Sequence, residues 1–446
     1  MSTSDNRWQQ DLRAATAAVM ANPSAASIAD AWRKRLVVTA KGKPKALLAN
    51  AIIALKYAPE WDGVLGFNEF SLDTVVLKGT PWGADVGLRW TDQEDRLTTD
   101  WLQHNGIEVG LEIAGQAVQT VARARSFHPV RQYLDSLKWD GVHRLDQWLN
   151  VYLGVEQNAY VAAVGARWLI SAVARVRNPG CQVDCCLVLE GEQGVLKSSA
   201  LRKLAVRDEW FTDEIAELGT KDASLQTMGV WIIEMGELSG MHKAELEHVK
   251  AFITRRIERF RPPYGKRLVT SPRQCVFSAS TNDDEYLIDP TGGRRFWPVR
   301  CCTEIKIDAI ARDRDQLWAE AFERFRAGES WWLDTTELNR FAQMEQADRY
   351  QGDVWEEPIS RWITDPSQRL DEDGHPVADL TSDGASVTIA DILNHGIGKT
   401  PDKQTPADTN RVSRILRSLG YRRFRPGRPA PGEPRPGGRR YRKAGS

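Results

Sequence analysis

DCCLVLEGEQGVLKSSALRKLA, residues 184–205, sets a short continuous apolar run against a glycine-bounded loop and then a helix-forming segment. An apolar run that ends on a glycine suits a strand buried on both faces, as in a parallel sheet. The loop Gly191, Glu192, Gln193, Gly194, Val195, Leu196, Lys197, Ser198, Ser199 then lies between a buried strand and a helix opening. That context lets backbone N–H groups and a helix N-terminus wrap phosphates, with Lys197 reaching the β and γ phosphates and Ser198 ligating Mg²⁺. ATP and Mg²⁺ are the expected ligands. One position departs from the usual pattern: Leu196 stands where a glycine normally precedes the lysine, and its side chain is expected to crowd the nucleotide.

Two further apolar runs lie downstream. VWIIE (Val230–Glu234) ends on an acid and is followed by Glu237; an acid at the carboxyl end of a neighbouring strand is where Mg²⁺ and the attacking water must be held. Spacing does not decide which glutamate does which. QCVFSAST (Gln274–Thr281) leads to Asn282, a polar amide placed to orient water against a γ-phosphate. GGRRFWPV then presents Arg294 and Arg295 on a glycine-released turn, where a guanidinium could stabilise transition-state charge in its own subunit or in a neighbour's site. Helical or irregular segments separate the runs, so the middle of the chain reads as α/β. Between the second and third runs, VKAFITRRIERFRPPYGKRLVTSPR reads as a basic hairpin with Tyr264, Lys266 and Arg267 at or just past its tip, a surface suited to single-stranded nucleic acid.

Upstream, Arg123 to Leu153 reads as two amphipathic helices broken at Trp139-Asp140-Gly141, followed by a long helix from about Asn158 to Val176. Residues 1–122 mix helical stretches with tryptophan-rich turns and carry no obvious chemistry. An amphipathic helix over Asp308–Gly328 packs on the α/β core, which with its preceding helices spans 123–345. Residues 346–386, with the acidic, turn-rich stretch Asp365–Ser386, read as a linker. Residues 387–425 give two helices in winged-helix-like outline, with Arg411, Arg414 and Arg417 at helical spacing as DNA contacts. Residues 426–446 read as a basic disordered tail that can track phosphates.

Sixty Lys and Arg balance sixty Asp and Glu, so the chain as a whole is no polycation; 41% hydrophobic residues suffice for a sizeable core. The six cysteines show no C-x-x-C spacing and read as reduced core thiols. With no secretory pattern at the N-terminus and no run of about eighteen apolar residues, the expected setting is cytoplasmic, with no membrane partner.

The text from RSFHPVRQYLDSLKWDG through GEQGVLKSS, WFTDEIAELGTKDA, VWIIEMGEL, KAFITRRIERFRPPYGKR and PRQCVFSASTNDDEYLIDPTGGRRFWPV to DRDQLWAEAFERF resembles the virulence-associated E family, superfamily 3 helicase-like proteins of phages, plasmids and genomic islands. The resemblance covers roughly half the chain. It implies an AAA+-like P-loop core assembled as a ring, a hexamer, with ATP bound between subunits. Lys197 and Ser198 then match the first nucleotide motif, Glu234 and Glu237 the second and Asn282 the polar sensor. Lys266 and Arg267 fall in the DNA hairpin, and Arg294 or Arg295 matches the arginine finger. Many relatives carry a primase upstream; none is legible here, which points to a separate primase. The expected activity is an ATP-dependent helicase or translocase on single-stranded or forked DNA in replication of a mobile element. The alternatives are an ATP-binding replication initiator or regulator with little turnover, and an ATP-driven assembly acting on a protein partner.

Overall fold

The computed structural model describes residues 31–215, 220–236, 243–261, 268–287, 293–301, 305–350, 353–365, 386–424 and 440–443. Its first layer is small: β1 (Leu65–Asn68), β2 (Asp73–Val76) and β3 (Ser126–Phe127) in the order β2-β1-β3, covered by helix Leu111–Arg123, on which helix Leu48–Tyr57 packs. The facing residues Ala51, Ala54, Ala114 and Ala117 are fully buried, and their small size lets the helix backbones come close. Trp61 fills the centre, with Trp82, Trp90 and Trp101 set around it. β3 pairs with β1 in parallel, so this unit draws on residues past the expected boundary at 122.

The expected α/β core is a mixed α/β layer on a parallel sheet. Its strands are β4 (Cys186–Glu190), β5 (Phe211–Thr212), β6 (Ile232–Met235), β9 (Val276–Thr281) and β10 (Phe296–Arg300), in the order β10-β4-β9-β6-β5, with β7 (Ile257–Phe260) and β8 (Val269–Pro272) forming a separate antiparallel pair. Every pair in the five-stranded sheet is parallel. All five residues of β4 are buried, as the uninterrupted apolar run requires. β10 contains Pro298 and lies at the sheet edge, where a missing N–H is tolerated.

Helix Ala159–Arg177, capped by the Asn158 side chain, is long and apolar enough to cross a membrane, but 78% of its apolar window is buried inside the protein. It is the core helix against which the sheet packs. Three buried tryptophans satisfy their indole N–H groups on backbone carbonyls, Trp168 on Phe277 (2.8 Å), Trp231 on Ala172 (3.0 Å) and Trp318 on Leu204 (2.8 Å). Trp318 belongs to helix Ile307–Arg326 and stacks on Trp231 at 4.1 Å, which fixes that helix on the core. Burial pushes the Cys185 thiol up to about 12, in keeping with a core role; Cys302 lies outside the described residues.

The C-terminal region departs most from expectation. Within the expected linker, Glu356–Thr364 is a helix whose Ile359, Trp362 and Ile363 pack with Val387, Leu393, Val412 and Leu416. The expected disordered tail supplies β13 (Arg440–Lys443), the middle strand of an antiparallel sheet with β11 (Ser386–Thr388) and β12 (Tyr421–Phe424). Tyr441 on β13 is buried and donates to Ser413 Oγ (3.0 Å) on helix Pro406–Ser418. A basic sequence can still contribute a strand when one aromatic residue reaches a core. Residues 366–385 and 425–439 lie outside the described residues.

Candidate functional site

β4 delivers the chain to Gly191 at the carboxyl end of the sheet. Gly191 adopts φ +142°, and a Cβ there would sit 2.9 Å from the Cys301 carbonyl oxygen, so glycine is required on both counts. Its N–H donates to the Thr281 carbonyl (3.2 Å), while Cys301 N–H donates to the Glu190 carbonyl (2.9 Å); the loop base is thus pinned between β9 and β10. Gly194 also has positive φ, +88°. Val195 packs on the core cluster beneath. Glu192 and Gln193 are exposed, and Ser199 is half-buried.

Leu196 is left-handed, φ 71° and ψ 30°, immediately before helix Lys197–Leu204. The backbone conformation a glycine would supply is kept with a leucine in it, at a cost of roughly 1–2 kcal/mol. The side chain is 47% exposed. Leu196 therefore carries backbone strain at the mouth of the loop.

Three strand ends meet at this loop. The buried Lys197 donates from Nζ to the carbonyls of Gly191 (2.6 Å) and Glu192 (2.9 Å) and to Asn282 Oδ1 (3.0 Å) just past β9. Burial pulls its ammonium below the ordinary lysine range. Ser198 Oγ donates to Glu234 Oε1 (2.8 Å) on β6. Glu234 is buried, and its Oε2 has no hydrogen-bond partner among the described residues. Burial raises its carboxyl above the usual range, against the opposing pull of the Ser280 and Ser198 hydroxyls, and Asp213 adds like-charge repulsion. A buried carboxylate oxygen left unpaired beside a serine hydroxyl is a donor set that fits a hard divalent cation.

Sequence reasoning passed over the residue that anchors the loop. Glu190, the last residue of β4, is buried and accepts from Arg349 Nε (2.8 Å) and Nη2 (3.0 Å) and from the Tyr286 hydroxyl (2.8 Å). Arg349 also pairs with Glu345, and its carbonyl accepts the N–H groups of Tyr286 and Leu287. Arg300, at the carboxyl end of β10, pairs with Asp284 beside this cluster.

Not every expected site residue joins the loop. Phe296 pairs with Cys186 and Arg300 with Glu190, so Arg294 and Arg295 precede the amino end of β10. About 20 Å along the strand direction, at about 3.3 Å per residue, separates them from Gly191. That distance excludes their acting on the loop of their own chain. Arg294 is exposed, and Arg295 is half-buried with its Nε lacking a partner among the described residues. Glu237, Tyr264, Lys266 and Arg267 lie outside the described residues. The hairpin that would carry the last three is present at its base, where Phe260 pairs with Val269 and buried Glu258 pairs with buried Arg273. Burial pushes the Glu258 carboxyl up, but Arg273, Ser224 and Arg255 together hold it below its ordinary value.

In the C-terminal unit the three arginines expected to act alike do not. Arg411 donates to both oxygens of Asp353 (2.7–2.9 Å) and lies over the Trp355 ring at 4.1 Å, so it fastens the helix to the preceding segment. Arg414 and Arg417 are exposed. Helical spacing put all three in one stripe; the carboxylate that claims Arg411 is remote in sequence.

Residues 134–351 match the model of the virulence-associated protein E-like domain, a span that holds the loop, Glu234, Asn282, both arginines before β10 and Arg349. No curated protein matches the chain. Among solved structures it is similar to the apo structure of the NrS-1 C-terminal region, with a TM-score of 0.47 and 12% identity over 85% of this chain and 96% of that one. An A-form apo structure of the same region gives 0.46 and 11% at the same coverage.

Proposed function

Since this chain carries a virulence-associated protein E-like domain, we propose that it is a P-loop ATPase of AAA+-like architecture that drives movement on single-stranded or forked DNA during replication of a mobile genetic element. The observation that carries this reading is the convergence of Lys197, Ser198 with Glu234, and Asn282 at the carboxyl ends of β4, β6 and β9. Open parallel sheets bind ligands at that end.

Ser198 and Glu234 would hold Mg²⁺, which when bound supplies charge neutralisation on the phosphates. Lys197 exchanges the Gly191 and Glu192 carbonyls for β- and γ-phosphate oxygens. Either Glu234, through its unpaired Oε2, or Glu237 polarises the attacking water, with Asn282 orienting it. Arg294 or Arg295 serves the site of an adjacent subunit. Their place at the far end of β10 supports a shared site and so a ring, a hexamer on the family pattern. Tyr264, Lys266 and Arg267 contact the translocating strand, and a winged-helix-like C-terminal unit adds affinity for DNA through Arg414 and Arg417. Priming falls to a separate primase.

A second reading, an initiator that binds ATP with little turnover, is favoured by the strained backbone at Leu196. Strand displacement on a forked duplex separates the two. The motor reading expects ATP-dependent unwinding and DNA-stimulated hydrolysis, both lost in Lys197→Ala. Hydrolysis indifferent to DNA, with no unwinding, would overturn it.

A further inference from the structure

From Ala31 to Pro59 the chain holds seven Lys or Arg and no Asp or Glu, a local excess in a molecule whose charges balance overall. Arg33, Lys34 and Arg35 lie on a short 3₁₀ turn, and Lys41, Lys43 and Lys45 on the hairpin that follows; all six are exposed. Among the described residues no carboxylate pairs with Lys34, Lys41, Lys43 or Lys45, whereas elsewhere arginines such as Arg177, Arg324 and Arg411 are matched with acids.

The hairpin is held firmly. Its arms are joined by Thr39 N–H to the Lys43 carbonyl (2.8 Å) and Lys45 N–H to the Val37 carbonyl (3.0 Å), and Gly42 turns it at φ +77°. Beneath it, fully buried Asn50 accepts from Val37 N–H (2.8 Å) and donates to the carbonyls of Val37 (2.8 Å) and Lys45 (2.9 Å), clamping both arms at once. A buried amide satisfied by two arms of one hairpin fixes its shape. Pro44 faces inward toward Gly106, so Lys43 and Lys45 face out, about 6.8 Å apart at about 3.4 Å per residue. Arg35 lies over the Tyr57 ring at 4.2 Å, which orders the cation nearest the hairpin base.

We infer that this clamped basic hairpin, with the cations of the preceding turn, is a nucleic-acid surface that engages the phosphate backbone without reading bases. Lys34, Lys41, Lys43 and Lys45, concentrated on a rigid edge with no carboxylate partner among the described residues, repel one another, and a polyanion relieves that repulsion while releasing counterions. A lipid surface fits less well: Trp32 and Leu36 are buried, the Tyr57 ring is covered by Arg35, and the apolar groups left exposed beside the cations are the short Val37 and Val38 together with Leu47. The surface acts independently of nucleotide chemistry.

The test is binding of a labelled single-stranded oligonucleotide by the full chain, without nucleotide, over a series of salt concentrations. The variant combines Lys41→Ala, Lys43→Ala and Lys45→Ala; thermal unfolding should match wild type, since all three side chains are exposed. Affinity should fall at least tenfold at low salt, and the slope of log K against log salt should shrink by about 2, at about 0.7 per lost contact. ATP hydrolysis without DNA should be unchanged in the triple variant, which separates failure of this surface from failure of the ATPase reading. Unchanged affinity and slope in the triple variant would overturn the inference. So would loss of binding to phosphatidylserine vesicles with oligonucleotide binding intact.

Discussion

The loop end of the parallel sheet and the C-terminal three-stranded sheet are both built around short buried strands, yet they depend on their sequences in opposite ways. At the loop, strand, glycines, lysine and serine follow one another within residues 186–198, and the partners Glu234 and Asn282 each sit at the end of an apolar run of their own. In the C-terminal sheet, β13 is defined by pairing with Ser386–Thr388, more than fifty residues upstream, and its own sequence is Arg-Tyr-Arg-Lys. Local order makes a site readable; long-range pairing hides a strand inside what composition presents as a tail.

That contrast can be broken most forcefully at Tyr441. Its ring and hydroxyl join β13 to helix Pro406–Ser418, so Tyr441→Ala should destabilise the C-terminal unit by about 3 kcal/mol. In calorimetry the transition of this unit should move to lower temperature while basal ATP hydrolysis is unchanged. A tail that merely lies on the surface would leave the transition where it is.

The next effect concerns the arginines. Arg411→Ala should cost about 1–2 kcal/mol of stability by stranding Asp353, with the salt slope of DNA binding unaltered. Arg414→Ala should do the reverse, leaving stability within about 0.5 kcal/mol and reducing the slope. The two share charge and helix, and only their partners differ. Equal behaviour of the pair in both measurements would return Arg411 to the DNA-facing set.

The smallest effect lies at the loop. Leu196→Gly removes a left-handed leucine and should raise stability by up to about 1 kcal/mol in denaturant unfolding, less what glycine loses through its freer unfolded chain. Turnover that rises with it would place the strain in the catalytic cycle; unchanged turnover would make it a local cost only.

The sequence therefore disclosed the parallel sheet, three of its five strands, the core helices and the loop with its lysine, serine, glutamate and asparagine. What it could not disclose follows a physical pattern. β5 is two residues long and β10 carries a proline, so neither has a periodic signal. Glu190 looks like the polar end of an apolar run, and its role as the loop's anchor depends on Arg349, far along the chain. The far-end position of Arg294 and Arg295 follows from the parallel register of β10 on β4, which spacing alone cannot supply. Spacing leaves open whether these arginines serve their own subunit or a neighbour's, and the register removes them from the loop of their own chain.

The central claim, that the Gly191–Ser199 loop is a nucleotide site worked by Lys197, is tested most directly by Mg²⁺-dependent ATP hydrolysis of wild type and Lys197→Ala measured side by side. Wild type should turn over, and the variant should be slower by at least about 100-fold, as expected when a donor to developing phosphate charge is removed. Hydrolysis at the wild-type rate in the variant, or no hydrolysis and no ATP binding by wild type, would contradict the account.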